Sequence, residues 1–178
     1  GVYPKSNIGA NASYKNGRWL LNGGYQYNYD KELTRSFINR IYNSSAGDSS
    51  FLTTSDYAQP AQTHNIIFSG QYDVSANGAI TWDSNVLNEQ SDWLGYSDSY
   101  FYGPDKTLSS SFRTTDNSWG TLNNVNAGLG YKHQFDSANT ELSTLLDVKT
   151  MSSNGSQQFE TNYFESNGET SAPPFLYT

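Results

Sequence analysis

Apolar and polar residues alternate with a period of two in six separate stretches of this chain, Asn7–Tyr14, Trp19–Asp30, Asn65–Val74, Ala79–Val86, Asn124–Phe135 and Glu141–Thr150. Period two is the repeat of an extended strand, whose successive side chains leave on opposite faces, so six β-strands are predicted. Short turns join them in pairs at Lys15-Asn16-Gly17-Arg18, Ser75-Ala76-Asn77-Gly78 and Asp136-Ser137-Ala138-Asn139-Thr140. Asn-Gly in the first two supplies the positive φ that a tight hairpin needs. The turns at Asn16 and Asn77 lie 61 residues apart and the third, near Ala138, lies 61 further on. A unit of strand, short turn, strand and long connection therefore recurs, without the per-repeat signature of a propeller or solenoid. The long connections, Lys31 to Gln62 and Asn88 to Leu122, read as polar-aromatic loops well beyond the usual length of about 4–6 residues.

The alternation sorts side chains by character. One face takes Ile8, Ala10, Ala12 and Tyr14; Trp19, Leu21, Gly23, Tyr25, Tyr27 and Tyr29; Ile66, Phe68, Gly70, Tyr72 and Val74; Ile80, Trp82, Ser84 and Val86; Val125, Ala127, Leu129, Tyr131, His133 and Phe135; and Leu142, Thr144, Leu146, Val148 and Thr150. Of these 30 positions 24 are apolar or aromatic, and none is Asp, Glu, Lys or Arg. The intervening positions carry Asp30, Asp73, Asp83, Asp147, Lys132 and Lys149 among many Asn and Gln.

A soluble β-sandwich and a membrane β-barrel both alternate in this way. Three features favour the barrel. The apolar face mixes small and aromatic residues instead of the dense aliphatic packing of a sandwich core, as suits lipid, which accepts any shape. Aromatics gather toward the strand ends: Tyr14, Trp19, Tyr72, Trp82, Tyr131 and Phe135 near the short turns, and Tyr25, Tyr27 and Tyr29 at the far end of the second strand. These are the expected interfacial girdles against outer-membrane lipid. Short turns on one side and long connections on the other match the periplasmic and external ends of such barrels. With 15% charged residues against roughly 25% in ordinary soluble proteins, composition agrees. The mean hydropathy of -0.71 and the lack of a run of about 20 apolar residues exclude helical membrane spans but not strands.

Other function classes fall away on similar grounds. A net charge of -7 leaves no basic surface for a phosphate backbone, so nucleic acid is not an expected partner. There is no cysteine, hence no thiolate site or disulfide framework. His64 and His133, the only histidines, have no second ligand at metal spacing, and His133 reads as a polar tip at the membrane boundary. No metal, no cofactor and no enzymatic activity are expected. The N-terminal Gly-Val-Tyr-Pro-Lys segment lacks the basic and apolar regions of a signal peptide.

The stretch Asn124-Val125-Asn126-Ala127-Gly128-Leu129-Gly130-Tyr131-Lys132-His133-Gln134-Phe135-Asp136 followed by Thr140-Glu141-Leu142-Ser143, together with Ala10-Asn11-Ala12-Ser13-Tyr14-Lys15-Asn16-Gly17-Arg18-Trp19, resembles the barrel region of TonB-dependent outer-membrane receptors of the Bacteroidetes type. The resemblance spans most of residues 7 to 150. It implies an all-β fold of antiparallel up-and-down hairpins forming part of a transmembrane β-barrel in the bacterial outer membrane, with energised nutrient uptake as its function. It further implies as partners the remainder of the barrel, a plug, the TonB complex acting through that plug, and a surface lipoprotein as a candidate cap. Against that pattern the chain lacks a plug, a TonB box and most of the strands, so residues 1–178 are expected to form a partial barrel of six strands. A seventh arises if Gln157–Phe164 or Phe175-Leu176-Tyr177 begins another. For solute capture the candidates are Trp93, Tyr96, Tyr100, Tyr102 and Trp119 in the second long connection, where exposed rings beside carboxylates can stack on a sugar or grip a peptide. The same residues would serve the alternative, a soluble secreted β-sandwich that binds carbohydrate. An adhesin assembled through open sheet edges is a third reading.

Overall fold

A computed structural model of the chain describes residues 4–45, 47–135 and 140–178. It is all-β. Eight strands run in chain order as β1 (Ser6–Asn16), β2 (Trp19–Tyr42), β3 (Ser49–Ser75), β4 (Gly78–Tyr102), β5 (Leu108–Gln134), β6 (Glu141–Ser156), β7 (Phe159–Glu165) and β8 (Thr170–Tyr177). Every pairing is antiparallel and joins chain neighbours, except that β5 carries β6 and β7 end to end along one side. Those two share one register on β5, Trp119 opposite Ser156 and Asp116 opposite Phe159. The Asn117 amide donates to the Gln158 carbonyl at 3.0 Å between them, so β6 and β7 act as one long strand interrupted at Gln157 and Gln158. The result is an up-and-down sheet whose two margins, the outer edges of β1 with the upper part of β2 (Lys31–Tyr42) and of β6 with β8, have no partner among the described residues.

The largest departure from the sequence reading concerns the two long loops. Residues 31–62 and 88–122 are mostly strand: β2 and β3 pair without a break from Trp19–Tyr72 up to Tyr42–Ser49, and β4 follows β5 up to Tyr102–Leu108. What remains of each loop is a short turn, one between Tyr42 and Ser49 and one between Tyr102 and Leu108. In the latter, Lys106 adopts φ +63° and the Asp105 carboxylate accepts from the Thr107 hydroxyl at 2.7 Å and its amide at 3.1 Å. These bonds, the hydroxyl's first, hold the Asp105 carboxyl below its usual range. The ladder is made by backbone groups and needs no apolar face. The side chains of these ribbons pair across strands by polar contacts, such as Thr53 with Ser99 at 3.0 Å and Thr114 with Thr161 at 2.9 Å. Alternation of apolar character fails there as a signal although the strands continue. Both optional extra strands also form, as β7 and β8. The third short turn, 136–139, lies outside the described residues.

Within the lower part of the sheet, register confirms the sorting of side chains. Tyr25 stands opposite Ala10 and Ile66, Trp82 opposite Gly70 and Leu129, and Leu129 opposite Leu146. Except for Val74 and Phe135, which have no strand partner, every predicted apolar-face residue pairs only with positions of that same face. Among the described residues no second layer covers them: the strands touch only their hydrogen-bonded neighbours. Among the described residues no hydrophobic side chain is buried, so the packed core of a β-sandwich is not formed. The side chains that are buried, Ser55, Ser91, Ser99, Ser118 and Thr161, are all polar. All five stand on the opposite face.

Candidate functional site

The apolar face forms a band of definite height. It runs over nine residues on each of four strands, Trp19–Tyr27, Ile66–Val74, Val125–His133 and Leu142–Thr150, matching the roughly 9–11 residues of a tilted strand that crosses a bilayer. At the short-turn end, Trp19 lies 4.5 Å from Tyr72 and 6.0 Å from Trp82, ring centre to ring centre. His133 sits between Tyr131 at 6.3 Å and Phe135 at 4.7 Å. The indole of Trp82 lies over Gly70, where any side chain would collide with it. At the other end of the band the Tyr25 hydroxyl meets His64 Nδ1 at 2.7 Å, with the Tyr27 ring 5.0 Å from the same imidazole. The Tyr14 hydroxyl accepts from the Asn16 amide at 2.9 Å near the first turn. All nine expected girdle aromatics therefore stand on one face, though Tyr29 lies one step above the others.

Charge returns to this face only above the band, at Lys31, Arg35, Asp56, Asp92, Asp98, Arg113 and Glu160. There Arg35 pairs directly with Asp56 at 2.5 Å, and Arg113 grips Asp98 through Nε at 2.6 Å and a second guanidinium nitrogen at 2.8 Å. Hydrogen bonding to Asp98, then its charge, pushes the Arg113 pKa up. The Tyr96 ring lies 5.0 Å under the guanidinium carbon. Because Arg113 is more than half exposed, the pair is worth at most about 1 kcal/mol and is screened by salt. A double-mutant cycle of Arg113→Met and Asp98→Asn is expected to give a coupling of about 0.5–1 kcal/mol in low salt, shrinking at 1 M salt; a salt-independent value would contradict this exposure.

The five expected capture residues are not in a loop and do not converge. Trp93, Tyr96, Tyr100 and Tyr102 lie on β4 and Trp119 on β5. Strand alternation puts Tyr96, Tyr100 and Trp119 on the face that carries the band and Trp93 on the opposite one. A constellation that the loop reading missed lies on the polar face instead. Phe51, Phe101, Phe112 and Tyr163 form a ladder across β3, β4, β5 and β7, with ring centres 4.7 Å apart for Phe51 and Phe101, 6.1 Å for Phe101 and Phe112, and 6.0 Å for Phe112 and Tyr163. Buried Ser99 and Thr161 and the hydroxyl pairs noted above lie beside it. Tyr57 lies on the same face against Gly95; burial, and secondarily Asp116, pushes its hydroxyl pKa up. Rings of this kind over hydroxyls and a carboxylate suit a solute with both flat apolar and hydroxylated surfaces. Their signal in the sequence was the odd-numbered series Phe51, Thr53, Ser55, Tyr57 and Trp93, Gly95, Ser97, Ser99, Phe101, which becomes visible only if the strands are continued past the apolar band. Among the described residues no group of His, Asp and Glu is arranged to hold a metal.

No protein-family model matches the chain, and no curated protein matches it. Among solved structures, Clostridium perfringens delta-toxin aligns over 94% of this chain and 100% of its own length at 7% identity, with a TM-score of 0.19, too low to bear on fold or function.

Proposed function

We propose that this chain is part of the wall of a transmembrane β-barrel in the bacterial outer membrane, and that the protein is a TonB-dependent receptor taking up a nutrient. The observation that carries the reading is the exposed, uncharged, nine-residue band bordered by aromatic rings on a single-layered sheet. In water such a patch is a liability far larger than a monomer tolerates; in hydrocarbon it is the required surface. The unpaired margins point the same way, because edge amides and carbonyls at bilayer depth must be satisfied by further strands. Those strands, a plug within the lumen, and the TonB complex acting on the plug are the partners the reading requires, with a surface lipoprotein as a candidate cap. The tall ribbons above the band extend outside, roughly 50 Å along the strands at about 3.3 Å per residue. Their inner face offers the ladder of Phe51, Phe101, Phe112 and Tyr163 to the solute. Function on this reading is capture and gated passage, with no chemical step on the solute.

Tryptophan position supplies the test. In the full-length protein, variants that keep one of Trp19, Trp82 and Trp93 are placed in vesicles of brominated phosphatidylcholine. Emission from Trp19 and Trp82 is expected to be strongly quenched, while Trp93, on the polar face above the band, stays as bright as in unbrominated lipid. Equal emission from all three in both lipids sinks the proposal.

A further inference from the structure

Directly above the band, on its own face, the sheet opens into a groove of about 420 Å³ lined by Tyr29, Pro60, Gln62, Gln90, Asp92 and Trp119 among others. Pro60 explains the opening. It stands in β3, an interior strand, where proline is normally avoided because it removes a ladder donor. The β3–β4 pairing lapses here, between Ala58–Leu94 and Ala61–Ser91, and resumes in the same register. Below the break side-chain amides pair across strands: Gln62 Nε2 donates to Gln90 Oε1 at 2.9 Å, and Asn88 Nδ2 to Asn123 Oδ1 at 2.7 Å. Trp119 forms the opposite wall and is 49% exposed, without a ring partner among the described aromatic contacts.

We infer that this groove binds a neutral saccharide, presented at the membrane surface as the headgroup of a glycolipid. The inference rests on the membrane reading above, which places the groove at headgroup height facing outward. Its chemistry selects the ligand. An exposed indole offers a flat apolar platform for a sugar ring, while carboxamides and a carboxylate offer donors and acceptors to hydroxyls. A phosphate headgroup would call for Arg or Lys, yet Asp92 is the sole charged residue of the lining; Lys31, opposite Pro60 in the register, is outside it.

The full-length protein is inserted into nanodiscs of phosphatidylcholine containing either digalactosyldiacylglycerol or phosphatidylglycerol, and retained lipid is read by native mass spectrometry. The parent is expected to retain the galactolipid over phosphatidylglycerol. Trp119→Ala and Gln90→Ala are expected to lower that retention roughly three- to tenfold, the size expected for losing one aromatic or polar contact, with phosphatidylglycerol unchanged. Inserted variants that hold the galactolipid as well as the parent overturn this inference and leave the membrane reading standing, as does a parent that prefers phosphatidylglycerol. Failure of the parent to enter nanodiscs overturns both. Free digalactose that strips the lipid at equal concentration confirms the sugar chemistry and assigns its source to solution.

Discussion

With the apolar band against lipid as proposed, Leu146→Arg is expected to destabilise the full-length protein in vesicles by about 2–4 kcal/mol, the cost of an arginine on a lipid face near a bilayer midplane. Leu145→Arg, one residue away, is expected to change stability by less than about 1 kcal/mol, as substitutions on a water-filled inner wall do. The two leucines make a controlled pair. They adjoin each other on β6 and are about equally exposed, at 63% and 69%, so a protein bathed in water on both faces would treat the substitutions alike. Register separates them: Leu146 faces Leu129 at the centre of the band, whereas Leu145 faces Gly130 on the polar side. Urea unfolding in vesicles, followed by the heat-dependent gel shift of a folded barrel, measures both. Equal losses at the two positions would show that lipid does not distinguish the faces.

Gly95→Ala is expected to cost about 1–3 kcal/mol, in the range for forcing extra atoms into an occupied space, and to loosen the upper β3–β4 ribbon. A Cβ at Gly95 would meet the Asp56 carbonyl, the Tyr57 ring at 2.6 Å and the Tyr57 Cα at 2.9 Å. Two of the three are backbone, so a side-chain rotation cannot relieve the collision. Gly120→Ala is the matched control, since its nearest neighbour, the Trp93 ring at 3.4 Å, is an ordinary contact. Hydrogen exchange should speed up around residues 55–57 and 95–97 in the first variant and stay at parent rates in the second. Unchanged exchange in Gly95→Ala would mean that Tyr57 does not rest on this glycine.

The lower sheet was legible in the sequence because there each side chain reports its face. Trp19 to Tyr29 alternates against Leu20 to Asp30, and the Asn-Gly turns at Asn16 and Asn77 lock the hairpins, so strands, pairing and the apolar face follow from local pattern and turn chemistry. Above Asp30 and Asn88 that reporting stops. Thr, Ser, Tyr and charged residues occupy both faces, and a polar strand is indistinguishable by composition from a polar loop. Missing those strands meant missing the Phe51, Phe101, Phe112 and Tyr163 ladder, whose members come from four strands as much as 112 residues apart, Phe51 to Tyr163. It also put Trp93 and Trp119 together in one loop, when strand parity sends them to opposite faces.

By itself the sequence determined an antiparallel, hairpin-built sheet with one uncharged face, because period two and positive-φ turns are local properties that a chain carries before it folds. Tertiary structure alone decided how far the ribbons rise beyond the apolar band, that β6 and β7 share one line along β5, that Pro60 opens a groove beside Trp119, and that no second layer among the described residues closes over the apolar face. Those outcomes depend on which backbone amide meets which carbonyl across the sheet, and hydrogen bonds between distant residues leave no mark in the order of the side chains.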